Sequence, residues 1–249
     1  MAFVHGKDTT VLYNGSDLSE YFTDISGTRT VDANQCTAFG ASAHSYVVGL
    51  QDGTATASGY WAGEALAVDA ILQPSLGNQS TDASITDGHL MILNKTQAVS
   101  DNVMIMRCDT TNYGITSPVA DVVSISADFQ SSDGIKSAVL LHASSTNVTA
   151  TTTPSFIDVG GASSATGAQA QLHVPANTLN NTAVIKITHS ASSGGTYADL
   201  LTFATVATGA ELSERKAVAS GSTINRYMKV VITTSGSGQI NFALAITRL

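Results

Sequence analysis

Short runs in which apolar and polar residues alternate recur along the chain and predict a protein built mainly from β-strands. Val119 to Phe129 and Gln239 to Thr247 both alternate in this way, so each predicts a strand with one buried face. The apolar runs His89 to Leu93 and Val103 to Cys108 are bounded by turn residues and predict strands buried on both faces. The predicted core face of the last strand consists of Ile240, Phe242, Leu244 and Ile246.

The stretch from Tyr46 to Val68 predicts a strand, a turn, a strand and a helix in direct succession. A short apolar strand is followed by Asp52-Gly53, which favours a tight turn, and Thr54 to Trp61 then alternates. From Gly63 to Gln73 the spacing of the apolar residues changes to that of a helix, which Pro74 ends. The predicted apolar stripe of this helix consists of Ala65, Leu66, Val68, Ala70, Ile71 and Leu72.

Two further patterns describe the first half of the chain. Thr9 to Tyr13 predicts a first strand closed by Asn14-Gly15, whereas Asp32 to Ser45 lacks periodicity and predicts a long excursion or an ordinary surface loop. Asp133-Gly134 is typical of a turn, so Ile135 to His142 is expected to return as the partner of the strand that ends at Phe129.

The run Ser144 to Pro154 (SSTNVTATTTP) predicts a boundary between two domains because it is rich in Ser, Thr and Asn and ends in a proline. We therefore expect a β-domain over residues 1–143, a linker over 144–153 and a second β-domain over 154–249. Regularly spaced strand patterns in the second half predict an antiparallel sandwich. Those patterns cover Gln169 to Val174, Ala183 to His189, Leu200 to Val206, Arg226 to Thr233 and Gln239 to Thr247.

Charge is scarce and mostly negative. Only 12% of the 249 residues are charged, 43% are hydrophobic, and the formal net charge is −8, so nothing favours neutralisation of nucleic-acid phosphates. An acidic surface suits a conduit past which DNA slides without sticking, although acidity that keeps a crowded protein soluble explains the charge equally well. No run of eighteen apolar residues predicts a membrane span.

Residues that carry chemistry are scattered rather than clustered. The six histidines have no metal-ligand spacing, Cys36 and Cys108 are too few for a disulfide framework, and no nucleophile or phosphate-binding motif occurs. The sequence therefore predicts no enzyme activity, no cofactor and no metal. Tyr60 and Trp61 are interpreted as core or intersubunit packing residues. Tyr197 and Tyr227 are also interpreted first as core residues, and they are the more credible sugar-facing aromatics if the second domain binds a ligand.

The run TAFGASAHSYVVGL, the pattern YVVGLQDGTATASGYWAGEALAV and the run VADVVSISADFQSSDG together resemble the tail tube (major tail) proteins of long-tailed bacteriophages. The resemblance covers residues 1–143 and implies a sandwich or barrel with one short helix, whose copies form stacked rings around a channel for DNA. It also implies that the 32–45 excursion reaches neighbouring subunits. The contact residues expected from it are Asn34, Thr37, Phe39, His44, Tyr46 and Leu50.

The second half resembles galactose-binding-like jelly-roll modules, through LHVPANTLNNTAVIKITHSASSGGTYADLLTF and NRYMKVVITTSGSGQINFALAITR. The two resemblances imply a non-enzymatic virion protein of the tail, assembled in the host cytoplasm, whose partners are copies of itself and other tail proteins. DNA would pass without specific binding, and no membrane is involved. The alternative function is a capsid decoration protein or a carbohydrate-binding adhesin that acts at the host surface.

Overall fold

A computed structural model describes residues 6–40, 42–65, 67–76, 88–94 and 97–249. Within these residues the chain is mainly antiparallel β-structure with one short α-helix, and the strands do not close into a barrel, which confirms the predicted sandwich class. The first elements are β1 Thr10–Tyr13, β2 Ser16–Asp17, β3 Phe22–Gln35, β4 Tyr46–Tyr60, α1 Val68–Leu72, β5 Gly88–Leu93, β6 Asn102–Thr116, β7 Ser124–Ser131 and β8 Lys136–His142. The remaining strands are β9 Asn147–Val148, β10 Ile157–Asp158, β11 Ala168–Asn177, β12 Ala183–Ser190, β13 Ala198–Thr202, β14 Leu212–Val218, β15 Tyr227–Thr234 and β16 Ile240–Arg248.

The chain forms two compact units that interleave in sequence. Unit 1 comprises residues 1–20, 89–105 and 136–249, and unit 2 comprises residues 21–88 and 106–135. This division differs from the expected one at 144–153 because β8, which precedes that segment, and β9, which lies within it, both pair with β16: His142 of β8 lies opposite Leu244, and Val148 of β9 lies opposite Ile240. Independent folding of 1–143 and 154–249 stays a prediction.

Unit 1 contains a jelly roll formed by its last eight strands, β9 to β16. The strands pair first with last and then inwards, as β9 with β16, β10 with β15, β11 with β14 and β12 with β13. The further pairs β11 with β16 and β12 with β15 complete two sheets that face each other. Apolar residues of both sheets, among them Leu172, Ile187 and Phe242, share one core. The predicted C-terminal jelly roll is therefore confirmed.

Strand β16 is buried on both of its faces. The predicted residues Ile240, Phe242, Leu244 and Ile246 all lie in the jelly-roll core, as their alternation indicated. The intervening Ala243 and Ala245 lie in a second core with residues of β1, β5, β6 and β8, such as Leu12 and Met91. Strand β16 pairs with β11 on one side and with β8 and β9 on the other, so it is a central strand of unit 1.

The sheet of unit 2 has the order β3-β4-β7-β6, and every neighbouring pair is antiparallel. Ala55 and Ala57 of β4 and Ala127 and Phe129 of β7 lie on its buried face, which confirms the predicted inward face of β7. Helix α1 is joined to β6 by a hydrogen bond from Tyr113 Oη to Asp69 Oδ1 of 2.8 Å. Val68 and Leu72 of α1 are buried.

Several predictions about unit 2 are wrong in their details. Asp52-Gly53 is not a turn, because β4 runs through it without interruption and Asp52 pairs with Thr30 of β3. The predicted helix over 63–73 shortens to Val68–Leu72 among the described residues, and Leu66 lies outside them. The excursion over 32–45 also shortens, since β3 extends to Gln35 and leaves 36–45 as the connection.

The predicted hairpin between β7 and β8 is also wrong. Strand β7 pairs with β4 and β6, whereas β8 pairs with β16 and with the first residues of β6, such as Val103 opposite Ala138. Gly134 adopts a φ of 76°, so the chain does bend there as predicted. The bend directs β8 into unit 1 instead of back onto β7.

Candidate intersubunit surface

The hairpin of β3 and β4 is longer than the sheet that supports it. Its ladder continues from Phe22 opposite Gly59 to Gln35 opposite Tyr46. Strand β7 pairs only with Thr54 to Tyr60 of β4, so among the described residues the segments 30–35 and 46–52 form a two-stranded ribbon. We call this ribbon and its connection, residues 30–52, the hairpin end.

Apolar side chains on the hairpin end are exposed to solvent. Val48 is 72% exposed and Leu50 is 81% exposed, although both lie in a regular strand. An isolated two-stranded ribbon has no core of its own in which to bury such residues. The other large apolar residues exposed here are Val31, Phe39, Tyr46 and Val47.

The structure brings the six expected contact residues together on the hairpin end. Asn34 lies in β3, opposite Val47, and Tyr46 and Leu50 lie in β4. Thr37, Phe39 and His44 lie in the connection, and of these three only Thr37 is partly buried. Whether these residues contact another subunit stays a prediction.

Two of the six residues hold the connection in shape. The hydroxyl of Thr37 accepts a hydrogen bond from the backbone N–H of Ser45 at 3.0 Å and another from Gln35 Nε2 at 3.0 Å. Gln35 Nε2 also lies 2.7 Å from His44 Nδ1. The connection is therefore closed by its own polar groups together with Gln35, and Phe39 supplies an exposed apolar side chain on it.

A second apolar surface lies at the other end of the same sheet, and sequence patterns identified only part of it. Trp61 donates its backbone N–H to the carbonyl of Val123 at 3.1 Å, which places it beside the connection from β6 to β7. Trp61 is 42% exposed, so it is not a core residue. We call this surface the loop end; its exposed apolar residues are Tyr60, Trp61, Ile115, Val119 and Val122.

The solvent-facing side of the unit 2 sheet is polar and carries no Lys or Arg over its paired region. Hydrogen bonds link neighbouring strands across it: Ser26 Oγ lies 2.8 Å from Thr56 Oγ1, and Asn112 Nδ2 donates to Asp128 Oδ2 at 3.0 Å. We call it the polar face. Its residues are Asp24, Ser26, Thr28, Thr30, Asp52, Thr54, Thr56, Ser58, Asp109, Asn112, Gly114, Thr116, Ser124, Ser126, Asp128 and Gln130.

The candidate sugar-facing aromatics of unit 1 already have partners on their rings. The ammonium group of Lys229 lies 4.2 Å from the ring centroid of Tyr197, and Phe156 packs edge-on against Tyr227 at 5.4 Å. The guanidinium of Arg226 lies 5.4 Å from the Tyr227 ring and also bonds both carboxylate oxygens of Asp158. Each of these rings therefore already packs against a neighbouring side chain.

Groups that could hold a metal ion do not assemble within the part of the chain that the structure describes. No cluster of three or more His, Cys, Asp or Glu side chains occurs there. Cys36 is exposed on the hairpin end, whereas Cys108 is buried. Within the same residues, no helix has both the length and the apolar character needed to cross a membrane.

Comparisons with known proteins give weak likenesses. No protein-family model and no curated protein matches the chain. The chain is similar to a solved chain of the six-fold symmetrised anti-feeding prophage baseplate, with 11% identity, a TM-score of 0.39, and coverage of 55% of this chain and 97% of that one. It is also similar to a chain from infectious bursal disease virus strain Gx, with 12% identity, a TM-score of 0.22, and coverage of 97% of this chain and 58% of that one. Likenesses at such TM-scores do not establish a common fold.

Proposed function

We propose that the protein is a structural subunit of a phage tail that assembles with copies of itself into stacked rings, which form the tail tube. The observation that carries this proposal is the hairpin end, where regular strands expose Val48, Leu50 and other apolar side chains. Folding of one chain leaves these residues in water, at a cost of about 25 cal/mol per Å² of apolar surface. Contact with another subunit removes that cost.

Lateral joining of subunits is supported by the strands at the two sides of the unit 2 sheet. Within the described residues, β3 pairs only with β4, so the backbone groups on its other side are available to a further strand. At the opposite side, β6 beyond Thr110 pairs only with β7 in the same part of the structure. Joining β3 of one subunit to β6 of the next continues the sheet and closes it when the copies form a ring.

The polar face is the surface that we assign to the channel. Its Asp24, Asp52, Asp109 and Asp128 repel phosphates, and its Ser and Thr side chains offer no cation to hold them. A duplex therefore meets a wall without strong binding sites. Arg107 lies just beyond Asp109 on β6, at the margin of this face.

The protein performs no reaction in this proposal and needs no cofactor. Its partners are other copies, the remaining tail proteins and DNA in transit, and its place is the tail of a virion assembled in the host cytoplasm. The carbohydrate-binding alternative gains no support from Tyr197 and Tyr227, whose rings already contact Lys229, Arg226 and Phe156.

Negative-stain electron microscopy of the purified full chain tests the proposal. We expect rings or tubes with a central channel, whose amount increases with protein concentration. Analytical ultracentrifugation of the same preparation should show species much larger than the 25.6 kDa subunit. A protein that stays monomeric at high concentration and forms neither rings nor tubes would contradict the proposed function.

A further inference from the structure

The hairpin end and the loop end lie at opposite ends of one sheet. Tyr60, at the end of β4, pairs with Ser124, which follows the loop end, whereas Tyr46 at the start of β4 pairs with Gln35 beside the hairpin connection. Fourteen residue steps along β4 separate these two positions, or about 46 Å at the usual rise of a strand. The two apolar surfaces of one subunit are therefore too far apart to cover each other.

From this arrangement we infer that the loop end of one copy is the docking surface for the hairpin end of the next copy. The inference rests on the proposed function and names the partner surface of the hairpin. The exposed aromatic and branched residues at the hairpin end include Phe39 and Tyr46, and those at the loop end include Trp61 and Val119. Large apolar and aromatic residues of this kind form the centre of protein interfaces.

Both surfaces carry few charges, and those charges are all carboxylates. Asp32 and Asp52 are the only charged residues from 30 to 52, among the described positions, and Asp121 is the only one from 115 to 123. Few charges lose their hydration when such surfaces meet, and the docked pair buries no run of like charges.

A head-to-tail contact also explains why there are two apolar surfaces. If two hairpin ends met around a two-fold axis, the loop end of each copy would stay exposed, with Val119 and Val122 in water. A contact between two loop ends would leave Val48 and Leu50 exposed in the same way. One contact of a hairpin end with a loop end covers both kinds of surface, and it repeats from copy to copy along the assembly.

A mixing experiment with two blocked variants tests this inference. The hairpin-blocked variant carries Val48→Glu and Leu50→Glu, and the loop-blocked variant carries Val119→Glu and Val122→Glu. All four side chains are exposed, so both variants should fold, which circular dichroism checks. A control protein with Ser222→Glu and Thr233→Glu carries the same added charge at exposed positions of unit 1 and should assemble as the unchanged chain does.

We expect each blocked variant, purified alone, to stop at one species, which is a single ring or a single subunit. Mixing the two should give a species of twice that mass and nothing larger, because the intact hairpin end of one variant meets the intact loop end of the other. Sedimentation velocity measures both masses. Doubling of the loop-blocked variant by itself would show hairpin-to-hairpin contact, doubling of the hairpin-blocked variant would show loop-to-loop contact, and no change on mixing would also overturn the inference.

The unchanged chain separates failure of the inference from failure of the proposed function. If that chain forms tubes while the mixture does not double, the tube assembles through other contacts and only the inference fails. If the mixture doubles while the unchanged chain forms filaments without a channel, the docking surface stands and the tail-tube proposal fails.

Discussion

The imidazole of His142 stacks on the ring of Phe242, with 3.8 Å between the ring centroids and 10° between the planes. Nδ1 of His142 lies 2.9 Å from the carbonyl oxygen of Phe242, a distance at which Nδ1–H donates a hydrogen bond. Burial lowers the pKa of His142, which favours the neutral ring at that position. The pair therefore joins β8 to β16 through side chains as well as through the backbone ladder.

Phe242 should be essential for the stability of unit 1. Its side chain is fully buried, so we expect Phe242→Ala to lower the free energy of unfolding by about 3–5 kcal/mol. Phe242→Asp should prevent folding of the unit, because an unpaired carboxylate in that core costs as much as a domain's stability. Urea unfolding measures the first effect, with Thr233→Ala at an exposed position of β15 as the control, for which the change should be within about 0.5 kcal/mol. An unchanged midpoint in Phe242→Ala would contradict this prediction.

Gly59 should be intolerant of any side chain. A Cβ at this position would overlap the carbonyl oxygen of Tyr21, which accepts a hydrogen bond from the backbone N–H of Tyr60 at 2.8 Å. We expect Gly59→Ala to lower the stability of unit 2 by about 1–3 kcal/mol, because β3 has to move away from β4. Gly194→Ala is the matched control, since a Cβ there meets no atom within 4 Å. Thermal unfolding of both variants checks the difference, and equal melting temperatures would show that β3 yields without cost.

The strands that could be predicted from sequence are those whose own residues alternate or form a continuous apolar run. The inward face of β16 and that of β7 follow from alternation, and burial confirms both. Strand β14 was missed because its residues LSERKAV include three charged side chains and are nearly all half-buried, so no apolar period marks it. It forms at the side of a sheet by pairing with β11, which no local pattern records.

The prediction of a turn at Asp52-Gly53 was wrong because the glycine is required there for close packing and not for a turn. A Cβ on Gly53 would lie 2.8 Å from Cγ1 of Ile135, so the glycine permits a close approach inside a continuous strand. The strand that pairs with β8 could not be predicted from the sequence either, since Leu140 pairs with Ala245, which lies more than a hundred residues later. Such distant pairings also hid the loop end, where Trp61 meets Val123 only after folding.

His173, which is fully buried in unit 1, should make stability depend on pH. His173 accepts a hydrogen bond from the backbone N–H of Gly15 at 3.3 Å, and Gln171 Nε2 lies 2.8 Å from its Nε2. Burial, followed by the charge of nearby His89, lowers the pKa of His173 from 6.5 to about 3. Between these values the unfolded chain binds a proton that the folded chain does not, so stability falls as the pH falls from 6.5 towards 3.

We expect His173→Gln to reduce this loss of stability on acidification. One such group contributes at most about 1.4 kcal/mol per pH unit, so the two proteins should differ most in slope between pH 4 and pH 6. Urea unfolding at several pH values measures the slope. Ser190→Ala, which removes a buried hydroxyl of unit 1 and no titrating group, should keep the slope of the unchanged chain. Identical slopes for the unchanged chain and His173→Gln would show that other groups control acid stability.

The connection of the hairpin end should be dispensable for folding and required for assembly. Gln35 and Tyr46 are directly paired, so a two-residue Asn-Gly turn can replace residues 36–45 and close the same ladder. Closure entropy changes slowly with length, by about 0.6 kcal/mol per doubling. Among the described residues, the side-chain hydrogen bonds of the connection join it to itself and to Gln35. We therefore expect a folded, soluble protein that no longer forms tubes.

Circular dichroism and negative-stain microscopy of one preparation measure both properties. Normal tubes from the shortened chain would show that Phe39 and its neighbours form an ordinary loop, and loss of folding would show that the connection belongs to the subunit's own core.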